Sequence, residues 1–456
     1  MKQFIEGADR SQSTLWPECL DDWVDESNPV RAVDAFVDAF DFAELGFDDV
    51  EPAPTGRPGN YPSALLKLCI YGYLNRIQSS RRPESEARRN LEVIWLIRRL
   101  APDEKTICEF RKDNGAAIKK VYAQIVELCR RMGLLTKASV AIDGSKFKAV
   151  KNRDKNFTKG KVERRRKQLE VSVSRYLSQL ESTDLQEQTE AIKMKRIRPR
   201  DKLEKLHSEL EKLNANEKQM LASPDGQISF TDPDSRSMAT CGRGSGVVGY
   251  NVQTAVDTEH HLIIAHKVTN SGSNRAQLAN MGTQAKDFLG VDELEAVADR
   301  GYYSSEEIKA YDDAGIKVTP PKPMTSGAKS TGRFGKQNFA YLTYEDVYRC
   351  HAAEKLVHHM TTEQDGKFIR RYRTNVCRSC PQKPKCTPGN ERRIPRWEHE
   401  DVLEATQERL DRNPDAMRTR RAVVEHPYGT IKMRMGATHF LAKGCRKLPL
   451  KRHSAF

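Results

Sequence analysis

The sequence predicts an α/β chain: an all-helical N-terminal region, then one mixed sheet broken by two insertions. Three observations predict it. Up to about residue 135, apolar residues recur at helical spacing. From 139 to 322, short apolar strands alternate with helical stretches, the pattern of a sheet covered by helices. Two segments, 151–235 and 324–397, depart from that alternation.

In the N-terminal region, 1–135, "NPVRAVDAFVDAFDFAEL" places its apolar residues about one helical turn apart. "SALLKLCIYGYLNRI" and "NLEVIWLIRRLA" read as strongly apolar helices, and "QSSRRPESEARRN" between them reads as a polar, Arg-rich connection. In "DEKTICEFRKDN", Thr106 and Glu109 have the capping-box spacing that opens a further helix. Short helices with Arg-rich connections suit a DNA-binding module, and equally a plain helical bundle.

The sheet begins with "KASVAIDGSKFKAV", a strand that runs into Asp143-Gly144. "VGYNVQTAVDTEHHLIIAHKVTN" reads as a strand pair with Asp257 to His260 as its turn. "NRAQLANMGTQAKDFL" is a helix. "ELEAVADRGYYSSEEIKAYDDAG" is a strand ending at Asp299 and then a helix, and "IKVTPPKP" is a last strand.

The first insertion, 151–235, carries Leu169, Val173, Tyr176 and Leu180, then Leu203, Leu206, Leu210 and Leu213. Both sets have heptad-like spacing and predict two short helices folded back as an antiparallel hairpin. Its entry, residues 148–167, holds ten Lys/Arg and two acids, as a solvated arm or a DNA-contacting one would. The second insertion, 324–397, reads as loop-rich.

The chain of 456 residues has 77 Lys/Arg against 63 Asp/Glu, a formal charge of +14. Because the excess is gathered in tracts, a polyanion is the expected partner, most simply nucleic acid. No apolar run reaches the length of a membrane span, and "MKQFIEGADR" lacks the apolar core of a signal peptide. The expectation is a cytoplasmic protein with no membrane role, its ten cysteines reduced.

Asp143 follows Val-Ala-Ile and precedes Gly144, while Asp299 ends another strand and precedes Arg300-Gly301. Acids at strand ends point into the crevice where α/β sheets place their sites, although Asp is also common where strands turn. A third acid would make a carboxylate cluster, which a cation must neutralise; paired Mg²⁺ ions do so and also drive in-line phosphoryl displacement. Glu425 is the candidate. On a helix, Glu425 and Lys432 fall at roughly 40° and 20° from Arg421, on one face. The plain reading is a surface ion pair between Arg421 and Glu425. Pro427 and Gly429 predict a kink after Glu425.

"VAIDGSKFKA", "AVADRGYYS" and "RRAVVEHPYGTIK" resemble the three acidic motifs of bacterial insertion-sequence DDE transposases with a ribonuclease H-like core. The last is similar to their Arg-x3-Glu-x6-Lys signature, matched by Arg421, Glu425 and Lys432, with Arg418 where related families often have Tyr. "QSTLWPECLDDWVDESNPVRAVDAFVD", "LLKLCIYGYLNRIQSSRRPE", "TDPDSRSM" and "VGYNVQTAVD" extend the resemblance over about residues 4–444. Together they look like the branch named for insertion sequence eleven-eighty-two, in the group related to the fourth and fifth insertion-sequence families.

The resemblance implies a ribonuclease H-like catalytic domain over 136–444 and a metal-dependent DNA strand transferase. Asp143, Asp299 and Glu425 would hold Mg²⁺ or Mn²⁺, and Arg421 and Lys432 would contact phosphates. The N-terminal region would bind terminal inverted repeats, and the chain would work as a homo-oligomer on those repeats and target DNA. Lys146 is a further phosphate candidate or an ordinary exposed lysine. Asp232 and Asp234 of "TDPDSRSM" form a second acidic pair, in a sequence more typical of a turn. The alternatives are a DNA-binding regulator without catalysis and a nuclease on the same core.

"CRSCPQKPKC" sets Cys377, Cys380 and Cys386 at zinc-ligand spacing, with Cys350 as the fourth ligand or His351, His358 or His359 in its place. Free thiols are the alternative; a structural Zn²⁺ would staple the second insertion. Residues 445–456, "CRKLPLKRHSAF", are basic and show little helical periodicity. Members of the resembled family continue past "HFLAKG" with an amphipathic helix that closes the core. The expectation is therefore an aberrant end and incomplete packing behind the helix of Glu425.

Overall fold

A computed structural model describes residues 19–441, without 52–58, 78, 80, 151–155, 185–189, 224, 240–245, 276, 277, 324–326, 328 and 329, and without the side chains of 179–200 and 279. The tail 445–456 and part of the basic tract at 148–167 lie outside the described residues.

The N-terminal region is helical: α1 (Pro29–Asp38), α2 (Phe42–Leu45), α3 (Pro62–Leu74), α4 (Arg81–Arg89), α5 (Leu91–Leu96), α6 (Glu104–Asp113) and α7 (Gly115–Arg131). Helix α1 starts where Asn28 accepts the Val30 N–H at 3.0 Å, with Pro29 in the first turn. The polar stretch expected as a connection is α4. It has no apolar stripe to betray it; Pro83 and Ala87, one turn apart, are its buried residues, and Glu84–Arg88 and Glu86–Arg89 pairs line its surface. Helix α6 is capped by Asp103, whose carboxylate accepts the Thr106 N–H at 2.7 Å, so Thr106 lies inside the helix. Helix α7 joins two cores: Ile118 and Val121 pack among the helices, while Tyr122 and Val126 pack on the sheet.

The sheet then builds from β1 (Ser139–Lys148). The first insertion follows as β2 (Asn156–Thr158), α8 (Lys159–Asp184), α9 (Glu190–Ala222) and β3 (Gln227–Ser229). Its helices are longer than expected, and the β2–β3 ladder clamps the base of the hairpin. Next come β4 (Arg236–Ala239), β5 (Gly246–Asp257), β6 (Ile263–Thr269), α10 (Leu278–Leu289), β7 (Leu294–Ala298), α11 (Ser305–Asp313) and β8 (Ile316–Thr319). Strand β5 pairs antiparallel with β1, β4 and β6; β7 pairs parallel with β1, and β8 parallel with β7. An antiparallel meander followed by helix-linked parallel strands, with the first strand central, is the ribonuclease H-like arrangement. The fold is thus a helical N-terminal region followed by a ribonuclease H-like α/β core with insertions.

The second insertion is not loop-rich. Strands β9 (Ala340–Leu342), β10 (Val347–Arg349), β11 (Lys355–Gln364), β12 (Lys367–Arg373) and β13 (Ile394–Trp397) form an antiparallel meander, with the one-turn helix α12 (Lys383–Cys386) between the last two. Its strands are short or one-sided: in β11 Leu356 is the buried residue, so little apolar alternation reaches the sequence. Helices α13 (Glu400–Arg412) and α14 (Ala416–Gly429) return the chain to the first sheet, and α14 widens into a π-helical turn over Thr430–Arg434. Among the described residues, no helix is long and apolar enough to cross a membrane.

Candidate active site

Asp143 does not end its strand, as expected; it sits in the middle of β1. What ends there is the pairing with β7. The parallel register stops at Ile142 opposite Ala298, so the next residues are Asp143 on one strand and Asp299 on the other. Asp299 leads into a 3₁₀ turn over Arg300–Tyr302. The two acids stand near enough for Asp299 to act on the charge of Asp143.

One face of β1 lies under α14 and the π-turn. Ala141 packs with Val256 against Val423 and Val424. Arg420 pairs with the Asp143 carboxylate at 3.0 Å, both side chains largely shielded from water. The Tyr428 hydroxyl lies 2.7 Å from the Val252 carbonyl and 3.1 Å from that of Asp143, and accepts from Thr254 at 3.0 Å. Lys432 donates to Ser145 Oγ at 2.5 Å and lies over the Phe147 ring, while Tyr428, Ile431 and Phe440 bury Phe147. Alternation along β1 thus delivers an apolar contact, an acid, a hydroxyl and an aromatic ring to one helix.

The other face is polar below the acids. Asn251 and Gln253, both buried on β5, each donate to Asn274 Oδ1, at 2.8 and 3.0 Å, and the Tyr302 hydroxyl donates to Gln253. This network explains Gly144: a Cβ there would collide with the Gln253 amide and stand 2.8 Å from Asn251 Oδ1. The glycine after Asp143 is a site of close approach, not a turn.

Burial pushes the Asp143 carboxyl above the ordinary carboxylate range. Arg420 and the Gly144 N–H pull it back, and the charge of Asp299 adds to the rise. Burial also lifts the Tyr302 hydroxyl well above its usual value, with Asp143 contributing.

Glu425 is solvent-exposed on α14, between the turns that carry Arg420 and Tyr428; Arg421 is exposed one turn earlier. The structure brings Asp143 and Asp299 together and lays the helix of Glu425 over them. It does not gather the three acids into one ligand shell, nor the four cysteines: among the described residues, no group of three His, Cys, Asp or Glu stands arranged to hold a metal ion. Asp232 is buried against the Tyr250 hydroxyl at 2.8 Å. Lys146 reaches the Ala239 carbonyl. Pro427 lies inside α14 without ending it, and the irregularity comes after Gly429 as the π-turn, which changes the angle between Arg421 and Lys432 from the ideal-helix value.

Residues 18–113 match the family described as Transposase domain (DUF772), and residues 349–453 match the family described as Transposase DDE domain. The chain has the domain architecture of a DDE-type transposase. The second match contains Arg421, Glu425, Lys432 and the four cysteines; Asp143 and Asp299 lie outside both matches. No curated protein matches the chain. Among solved structures, a cryo-EM structure of the piggyBac transposase synaptic complex with hairpin DNA is similar with a TM-score of 0.30 and 7% identity, covering 93% of this chain and 70% of that one.

Reading the sequence missed Arg420, Tyr428, Tyr302 and the Asn251–Gln253–Asn274 network. A signal existed for two of these: Asn251 and Gln253 alternate within an otherwise apolar strand, so both fall on one buried face.

Proposed function

We propose that this transposase is a DNA strand transferase that uses Mg²⁺ or Mn²⁺ to cut DNA at the ends of an insertion sequence and join the freed end to target DNA. The observation that carries the reading is the pair Asp143 and Asp299 on adjoining strands beneath the helix of Glu425. The donors are all carboxylate oxygens, which suit a hard cation. Asp143 is shielded and already balanced by a cation, Arg420.

Asp143, Asp299 and Glu425 would hold the metal, which when bound would activate a water or hydroxyl and offset charge at a phosphodiester. Arg420 orients the Asp143 carboxylate. Arg421, exposed one turn before Glu425, is placed to meet phosphate oxygens, while Lys432 adds positive charge beside Ser145 and holds β1 to the π-turn. The helical N-terminal region would bind the terminal inverted repeats. An element has two ends and each chain one such site, so a homo-oligomer on DNA follows. Within the transposases, we place the chain in the branch named for insertion sequence eleven-eighty-two, on its quoted motifs, and in the cytoplasm, where its DNA would be.

The test incubates the full chain with labelled DNA carrying the inverted repeats that flank its gene, a plasmid target and Mg²⁺. Cleaved ends and joined product are expected, with Asp143→Asn, Asp299→Asn and Glu425→Gln losing both while still binding DNA. Binding without cleavage by wild type would make it a regulator; cleavage without joining would make it a nuclease.

A further inference from the structure

The four cysteines of the second insertion come from two separate loops and meet at one end of its sheet. Cys350, Cys377, Cys380 and Cys386 line one small cavity, with Phe334, His351, Lys383 and Arg392 around it. We propose that this cavity is a structural Zn²⁺ site with the four cysteine thiolates as its ligands. The proposal goes beyond the DNA chemistry above and is read out without it.

Each ligand sits on a backbone-bonded turn. Cys350 opens the turn between β10 and β11, where its N–H donates to the Glu354 carbonyl at 3.0 Å and its own carbonyl accepts from Ala353 at 2.9 Å. Cys377 lies in a 3₁₀ turn over Asn375–Arg378, directly after β12. The Cys380 carbonyl accepts from Lys383 at 3.1 Å, which starts α12, and α12 ends on Cys386. The Arg392 N–H points at Cys377 Sγ, 3.5 Å away, as backbone donors point at metal-bound thiolates. The other three cysteines are close enough to Cys386 to act on its charge. None of the four is in a disulfide. Binding would form four Zn–S bonds and release four thiol protons to solvent. The resulting double negative charge would face Lys383 and Arg392.

The histidines fit less well. His351 packs tilted against Phe334 with ring centroids 4.2 Å apart, His358 bonds Thr361 Oγ1 at 3.0 Å, and neither His358 nor His359 lines the cavity. The insertion also has reason to need a staple. Its buried core is Phe339, Tyr348, Leu356, Tyr372 and Ile394, and Val357, Met360 and Phe368 are exposed. A sheet that buries so little is the kind that structural zinc holds together.

The experiment purifies the full chain without chelator and measures bound metal by mass spectrometry and reactive thiols by colorimetry. About one zinc per chain is expected, with four more thiols reacting after chelation. Cys377→Ser/Cys380→Ser should lose the metal and His351→Ala should keep it. Zinc-free wild type after growth and refolding in zinc would overturn the proposal, as would a double variant that keeps its zinc or a His351→Ala that loses it. Should the double variant fail to fold, cobalt-substituted wild type decides: thiolate-to-cobalt charge-transfer bands and tetrahedral d–d bands support four sulfurs, and their absence overturns them.

Discussion

Tyr428→Phe removes one oxygen from the contact that seats the helix of Glu425 on the sheet. The ring stays, so its packing with Phe147 and Ile431 is kept. What goes is a donor with the Val252 carbonyl at 2.7 Å and the Asp143 carbonyl at 3.1 Å, and the acceptor for the buried Thr254 hydroxyl at 3.0 Å. One lost bond costs about 1 kcal/mol and a buried polar group left unpaired about 1–3 kcal/mol, so the sum is roughly 2–4 kcal/mol. Urea unfolding followed by circular dichroism measures it. The hydroxyl also fixes where α14 crosses β1, so Mg²⁺-dependent cleavage should fall further than stability alone explains; a displacement of about 1 Å at a reacting group can cost on the order of a hundredfold. A variant within about 0.5 kcal/mol of wild type, cleaving at the wild-type rate, would show that the hydroxyl does not seat the helix.

Two further outcomes follow from the packing. Gly282→Ala should destabilise the core by about 1–3 kcal/mol, since the new methyl would enter the ring of Tyr311, which is fully buried and accepts the Gly282 N–H at 2.9 Å; an unchanged urea midpoint would contradict the close contact. Burial works against the charge of Glu400, but Lys336 at 2.6 Å, Lys322 and the Trp397 N–H outweigh it and hold its carboxyl below the ordinary range. A depressed carboxyl stabilises the fold above its unfolded value of about 4.3 and loses that contribution as pH falls through the folded value. Wild type should therefore lose stability in acid, and Glu400→Gln should be less stable at neutral pH with a flatter acid limb; parallel pH profiles of the two would sink the assignment.

Where local pattern and tertiary role coincide, the sequence was sufficient. Strand β1, the β5–β6 pair with its turn beginning at Asp257, α10 and the strand–acid–helix unit around Asp299 were all legible because each buries a periodic apolar set. Asp143 was found for a partly mistaken reason. It looked like the end of a strand because Gly144 follows, yet β1 continues, and the glycine is there to admit Gln253. Helix α4 and strands β9 to β13 were missed because they bury few residues and hold together through pairs and ladders that leave no periodicity. Angular reasoning on α14 selected Arg421 as the cation beside Glu425. It could not show that Arg420, the neighbouring residue, is the one turned toward Asp143, since the direction of the sheet is not written into the helix alone.

The tail expected to be aberrant lies outside the described residues, but among the described residues the helix of Glu425 is packed on its sheet side. Val423, Val424, Tyr428 and Ile431 are buried, Phe440 closes over Phe147 and Tyr250, and the Phe440 N–H donates to the Lys148 carbonyl at 2.8 Å. The same helix is also held from its other end. Strand β13 leads into α13, where Arg396 grips Glu404 at 2.5 Å and Lys336 of the second insertion grips Glu400. Arg409 donates to the Val318 carbonyl of β8 at 3.1 Å, which ties α13 to the edge of the main sheet just before α14 begins. The cysteine-bearing sheet is therefore linked to the start of α14 through partly exposed ion pairs and the Arg409 contact. Each pair keeps one partner partly exposed and is worth little alone, but with the Arg409 bond they fix where α13 lies, so a staple in that sheet would bear on where α14 starts. The second insertion is better understood as part of the support for Glu425 than as an appendage to the core.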